Sequence, residues 1–287
     1  MLSPAHRDGL TLPELMVSTV LMLIVGGAAY QLLVTTQRLA HAQMEQVSLQ
    51  SNVRSGAMVV ANELRELSTT VGGSPDQNDI LSISPSDITY RAMRGIGFIC
   101  QSPSVTQIRV ARADFSGFRD PQAVRDSAYL FVEGASGTGT DDAWVPLAIT
   151  RVSSATPCPG AAGPGITLTV PSTALLANLA VGTPVRIYEV MELKLYQSEG
   201  HSWLGARSVS GGEALQPVVG PLVDDTGFRL DYLDGRGALT ADLKAIKNIR
   251  FTVQGVSAEA VKSGSGEALR PEDGLTAQVA LRNASWP

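Results

Sequence analysis

The sequence is poor in the residues from which catalytic and metal sites are usually built. Of its 287 residues three are histidines, and His6, His41 and His201 stand far apart, with no zinc-like spacing. They read as surface residues. No G-x-S-x-G elbow and no P-loop occurs, so neither nucleophilic hydrolysis nor nucleotide binding is announced. Aromatic residues make up 5% and charged residues 17%, below the usual quarter for a globular chain. Acidic and basic side chains are mixed throughout and the formal charge is −5, which leaves no bulk cationic character to favour nucleic acid. No repeat of fixed period is visible. An enzyme is therefore not expected, nor a cofactor.

What the chain does have is one long apolar run. Leu15 to Gln37 is 23 residues without a formal charge, enough to cross a hydrocarbon core, which takes about 20 in a helix. A secretory signal peptide has a shorter apolar core with a cleavage site behind it. Here "TTQRLAHAQMEQ" follows and continues the helical pattern, so the run is expected to be retained. Glu14 stands at its mouth. An acid within a membrane helix costs about 3 kcal/mol at the bilayer centre, less near an end, and usually signals a partner. The plainer reading is a carboxylate resting among the headgroups at the end of an anchor.

Gly9, Leu10, Thr11, Leu12, Glu14, Leu15, Met16 and Val17, read together, resemble the prepilin signature of type IV pilins and type II secretion pseudopilins. The resemblance implies a leader, Met1–Gly9, removed by a prepilin peptidase that also methylates the new amino terminus at Leu10. It implies that Glu14, fifth in the mature chain, pairs with the terminal ammonium of a neighbouring subunit during assembly. The family usually has Phe where this chain has Leu10. Pro13 agrees with cleavage: in a helix beginning at Leu10 it occupies one of the first four positions, whose N–H groups have no intrahelical acceptor, and the carbonyl it would strike is gone.

Val53, Ala57, Val60, Leu64, Leu67 and Val71 are spaced 4, 3, 4, 3 and 4, a single stripe on a 3.6-residue helix, until "GGSP" at 72–75 stops it. Helix from Leu10 to Val71 would be about 90 Å long, with bends or local melting expected at Gly26–Gly27 and Ser55–Gly56. Beyond it come short strand-like segments: 88–93, 97–100, 105–110, 128–133, 143–149, 166–170, 184–196, 201–209, 228–234, 249–255 and 275–283. "SEGH" (198–201) and "DGRG" (234–237) read as hairpin connections. The expected architecture is α+β: a leader at 1–9, a membrane-spanning helix at 10–37, its amphipathic continuation at 38–71, and a β-rich head at 72–287, with an antiparallel sheet against the helix.

The head, in "HSWLGARSVSGGEALQPVVGPLVDDTGFRLDYLDGRG", "IKNIRFTV" and "VALRN", is similar to the larger minor pilins of the W type and to J-type pseudopilins. The implied function is that of a minor pilin or pseudopilin, priming or tipping a filament. The partners would be the prepilin peptidase and other pilins or pseudopilins, with the anchor in the inner membrane and the head in the periplasm. The alternative is an adhesin or DNA-uptake module displayed on a filament. An exported head favours a disulfide between Cys100 and Cys158, the two cysteines of the chain; a cytosolic head would keep two buried thiols. The signature favours the bridge. "SGTGTDD" carries a faint calcium-loop character through Asp141 and Asp142, as does "DYLDGRG" through Asp231 and Asp234, though solvated turns account for both. Arg91, Arg94, Arg109 and Arg112 cluster in sequence as ordinary strand positions or as a contact for a partner.

Overall fold

The computed structural model describes residues 11–69, 78–134, 142–154, 156–160, 163–262 and 268–281. The architecture is α+β, a long N-terminal helix followed by a large antiparallel sheet. Helix α1 runs from Leu12 to Arg65. Strands β1 (Ile80–Ile83), β2 (Asp87–Ser104), β3 (Gln107–Ala111), β4 (Ser116–Gly117), β5 (Asp126–Val132) and β6 (Ala143–Ala148) follow. Next come β7 (Arg151–Ser153), β8 (Gly165–Thr169), β9 (Pro184–Ser198), β10 (His201–Ser208), β11 (Gln216–Leu222), β12 (Phe228–Leu233) and β13 (Asn248–Val256). The short pair β14 (Val261–Lys262) and β15 (Ala268–Leu269) precedes the last strand, β16 (Glu272–Ala280).

The chain divides into two compact units. One comprises Met1–Leu49 and Ser257–Pro271, the other Gln50–Val256 and Glu272–Pro287. In the first, every residue from Thr11 to Leu33 is exposed. A helix apolar on all sides cannot rest so in water, and by length and composition this one can span a membrane. Farther along the same unit, the Ser257 hydroxyl donates to Glu45 (2.7 Å) and His41 Nε2 lies 3.4 Å from Glu259 Oε2.

In the second unit the last turns of α1 lie on the sheet. The stripe read from the spacing is the buried face: Val53, Ala57, Val60 and Leu64 are all buried, and Leu67 is buried just beyond the helix. Helix stops at Arg65, short of the expected Val71, which lies outside the described residues along with the "GGSP" stop. Ser68 and Asp79 exchange backbone and side-chain bonds there: Asp79 N–H donates to Ser68 O (3.0 Å) and Ser68 N–H to Asp79 Oδ2 (2.8 Å). Thr69 Oγ1 donates to Ile246 O (2.7 Å). These bonds satisfy the chain as it leaves the helix.

Strand β9 is the hub. One of its edges pairs with β2 along Pro184–Lys194; the other pairs with β5 at Val185–Glu189 and with β10 at Met191–Ser198. The β9–β10 turn is the expected hairpin, with Glu199 and Gly200 both at positive φ (53° and 76°), as the right-handed twist of the strands requires of a two-residue loop. The segments 88–93 and 97–100 prove to be one strand, β2, carrying a bulge: Met93 pairs with Tyr188 and Gly95 with Ile187, leaving Arg94 extra. An extra residue reverses the alternation of faces. Ile88, Tyr90 and Ala92 enter the core beneath the helix, whereas Ile99 enters a second core with Ile108, Val110, Leu130, Ile166 and Leu168.

The helix is continuous through Gly26–Gly27 and Ser55–Gly56. Gly26 and Gly27 have nothing near them, but a Cβ on Gly56 would stand 2.7 Å from Val219 Cγ2 on β11. Gly56 lets helix and sheet approach closely. Gly56→Ala is therefore expected to lower stability by about 1 kcal/mol although alanine is the better helix former. Adding Val219→Ala should recover part of that loss in a chemical-denaturation double-mutant cycle. Additive losses would show that the two positions do not collide.

Candidate functional site

The first residues of α1 form a small polar cap on an apolar helix. Thr11 precedes the helix, and both its N–H and its Oγ1 lie 3.2 Å from Glu14 Oε2. This is the return half of a capping box, in which the third helical residue reaches back to satisfy the N-cap amide. Pro13 sits inside the first turn, and Leu15 N–H donates to Thr11 O (3.2 Å). Glu14 thus accepts two neutral donors from its own chain and has no cation beside it among the described residues. Gly9 and Leu10, the expected cleavage and methylation positions, lie outside the described residues.

Cys100 and Cys158 are joined in a disulfide, with Cα atoms 5.7 Å apart. The bridge ties β2 to the segment between β7 and β8, where Gly165 N–H donates to Thr156 O (2.9 Å). Asp142 accepts the N–H of Gly134 (2.8 Å), while Asp141 lies outside the described residues. Asp234 is occupied by its own turn: bonds from Ala238 and Arg236 amides hold its carboxyl below the usual range. Asp231 lies 3.3 Å from Arg229. Among the described residues no group of three or more metal-ligating side chains converges.

The four arginines close in sequence do not form one patch. Arg109 meets Thr167 and Gln101, and Arg112 bonds Asp120 (2.7 Å). Arg94, thrown out by the bulge, donates through Nε to Glu189 (2.9 Å), whose side chain is 2% exposed. Arg119 and Arg125 reach the same carboxylate, Arg119 also forks onto buried Asp126, and Arg125 extends to Glu213. Three guanidiniums thus answer three carboxylates in a neutral cluster, which is how buried ions are made tolerable. Burial raises the Glu189 carboxyl, but hydrogen bonds from Ser208 and Arg94 and the nearby arginine charges outweigh it, so the net shift is downward. No sequence pattern marked Glu189, since its partners Arg94, Arg119 and Arg125 lie 95, 70 and 64 residues away.

Asp79 behaves oppositely. Burial pushes its carboxyl from 3.8 up to about 7, against the Ser68 N–H bond and the positive charges of Arg91 and Arg186. No protein-family model matches the chain, and comparison with curated proteins and with solved structures finds no significant match to either.

Two measurements follow from this geometry. Denatured, unreduced protein should show no free thiol, and reduction should cost on the order of 4 kcal/mol, the loop entropy of a 58-residue separation. The second concerns pH. A carboxyl raised on folding binds more protons in the native state, so its contribution to stability is greatest at low pH and declines as pH rises from about 4 through 7. Glu189, lowered on folding, acts in acid, losing its contribution only as pH falls through its native value. Between pH 5 and 8 the unfolding free energy of Asp79→Asn should therefore gain on the parent by on the order of 2 kcal/mol. A pH-independent difference would mean that Asp79 stays ionised in the fold.

Proposed function

We propose that this chain is a minor pilin or pseudopilin: a membrane-anchored structural subunit, not an enzyme, that enters a type IV pilus or type II secretion pseudopilus and primes or tips it. The observation that carries the reading is the register of Gly9, Leu10 and Glu14 ahead of an uncharged helix whose side chains are exposed all round. In this reading the prepilin peptidase cuts after Gly9 and methylates Leu10. The helix first rests in the inner membrane with the head in the periplasm and then packs among the helices of other pilins. The disulfide suits an oxidising compartment.

The mechanism is exchange of partners at Glu14. In the separate chain the carboxylate is held by two neutral donors of Thr11 at 3.2 Å, long for hydrogen bonds. On entering the filament it would accept the terminal ammonium of a neighbour, a charge-assisted bond about twice as strong as a neutral one and stronger still away from water. Both charges are then relieved together.

Glu14→Gln separates the two roles, because the amide oxygen still accepts from Thr11 while the charge is gone. Cleavage after Gly9 and head folding should persist, and recovery of the variant in sheared filaments should fall about tenfold or more, consistent with loss of a few kcal/mol. Normal incorporation would reduce Glu14 to a helix cap. An intact leader in cells with active prepilin peptidase, seen by mass and N-terminal analysis, would sink the reading itself.

A further inference from the structure

The head carries a groove of about 1000 Å³ between the end of α1 and the paired strands β2 and β4. On a chain with a formal charge of −5, four arginines line it from three elements: Arg65 in the last turn of α1, Arg91 and Arg94 on β2, and Arg186 on β9. Two carboxylates, Glu63 and Glu66, also line it, and Glu189 balances Arg94, so the remaining cations, Arg65, Arg91 and Arg186, exceed the lining carboxylates by one. Glu63 is engaged by the Tyr90 hydroxyl (2.9 Å).

Three of the guanidiniums are fixed in place. Arg91 Nη1 donates to Asn78 O and to the Tyr129 hydroxyl, both at 2.6 Å, and its guanidinium lies 5.4 and 5.5 Å from the Tyr129 and Tyr188 ring centres. Arg186 stands 4.3 Å over the Trp144 ring. Arg94 is anchored through Nε on Glu189. Rotamer freedom that a ligand would otherwise have to remove is already gone, which is what makes an arginine cluster bind and not merely attract. Gly95 and Gly117 keep one wall down to backbone, since a Cβ on Gly117 would stand 2.7 Å from Arg94 O. Phe118, at 88% exposure, offers an apolar surface at the same wall.

We infer that this groove docks a short acidic segment of a partner protein, carrying two or more carboxylates around an apolar side chain. Carboxylates match the arginine forks, the apolar side chain meets Phe118, and the volume is at the upper end for a pocket that encloses a ligand. A nucleic-acid strand fits less well. It needs an uninterrupted cationic track for its phosphates, whereas Glu63 and Glu66 break this one. The inference stands on the groove alone and holds whether or not the chain enters a filament.

The test uses the full chain in detergent, with anisotropy of a fluorescein-labelled, end-blocked peptide Gly-Glu-Glu-Leu-Asp-Glu-Gly. A peptide with lysine at each acidic position and a single-stranded dodecanucleotide serve as the other probes. The acidic peptide should bind saturably and more weakly as salt rises, and the lysine peptide should not bind. Arg65→Gln should weaken it about two- to fivefold, and Arg65→Gln with Arg186→Gln about tenfold or more. Arg65 is exposed at the helix end, so the single variant retains the fold and keeps the test decisive if the double variant does not. Absence of saturable binding, or binding indifferent to Arg65→Gln, overturns the proposal. Tighter binding of the oligonucleotide with the same sensitivity overturns it in favour of nucleic acid.

Discussion

The first core of the head is arranged around one contact, the burial of Ala57, Val60, Leu64 and Leu67 on the sheet. Each large apolar side chain so buried contributes about 1.5–3 kcal/mol, more than any exposed ion pair could. The contact also dictates smaller choices. Gly56 has no side chain because Val219 occupies the space. The helix ends at Arg65, and Ser68 and Thr69 are tied to Asp79 and Ile246, so the chain turns back toward β1. Asp79 carries the electrostatic consequence of that closure, a carboxyl buried deeply enough to favour its proton.

The helix covers one part of the sheet, and a second core lies farther along the same strands, with the bulge at Arg94 between the two on β2. The extra residue shifts the alternation of β2 by one, so that the odd-numbered Ile99 enters the second core where the even-numbered Ile88, Tyr90 and Ala92 enter the first. Strand β9 makes the same passage, with Leu193 in the first core and Val185 and Ile187 in the second. The buried ions sit at this crossing. Glu189 lies on β9 beside the bulge, and Arg94, Arg119 and Arg125 converge on it from three places. Such a cluster adds little net stability over apolar packing, but a slip of one residue would leave charges buried without partners, so it fixes register.

These features differ in how far they could be read from the sequence, and the difference is one of range. The helical stripe, the β9–β10 hairpin and the alternation of Ile249, Phe251 and Val253 are written in residues a few positions apart. The bulge was legible only as an interruption, because Arg94–Gly95 reads as a break unless one knows that β9 pairs across it. Strands β1, β4, β7, β11, β14 and β15 carry no such signal: all but β11 are short, and "QPVVGPL" carries two prolines and a glycine, which argue against a strand until β10 supplies its partner. Trp144 beneath Arg186, and the meeting of Arg65 with Arg91, Arg94 and Arg186 in one groove, depend on pairings far apart in sequence and leave no local signal.

Glu14 shows how a local pattern can be legible twice. Thr-x-x-Glu is a capping box by spacing alone, and the same glutamate holds the register that resembles the prepilin signature. The two roles need not compete. A cap at the start of a helix is worth about 1 kcal/mol, and its donors at 3.2 Å hold the carboxylate only loosely. Where water is excluded, an ammonium beside that carboxylate would be worth several times as much. A cap this weak keeps the carboxylate folded onto its own helix and would yield to a cation brought beside it. Under the proposed function the residue would be satisfied in both states, with the balance between them set by the surroundings of the helix end.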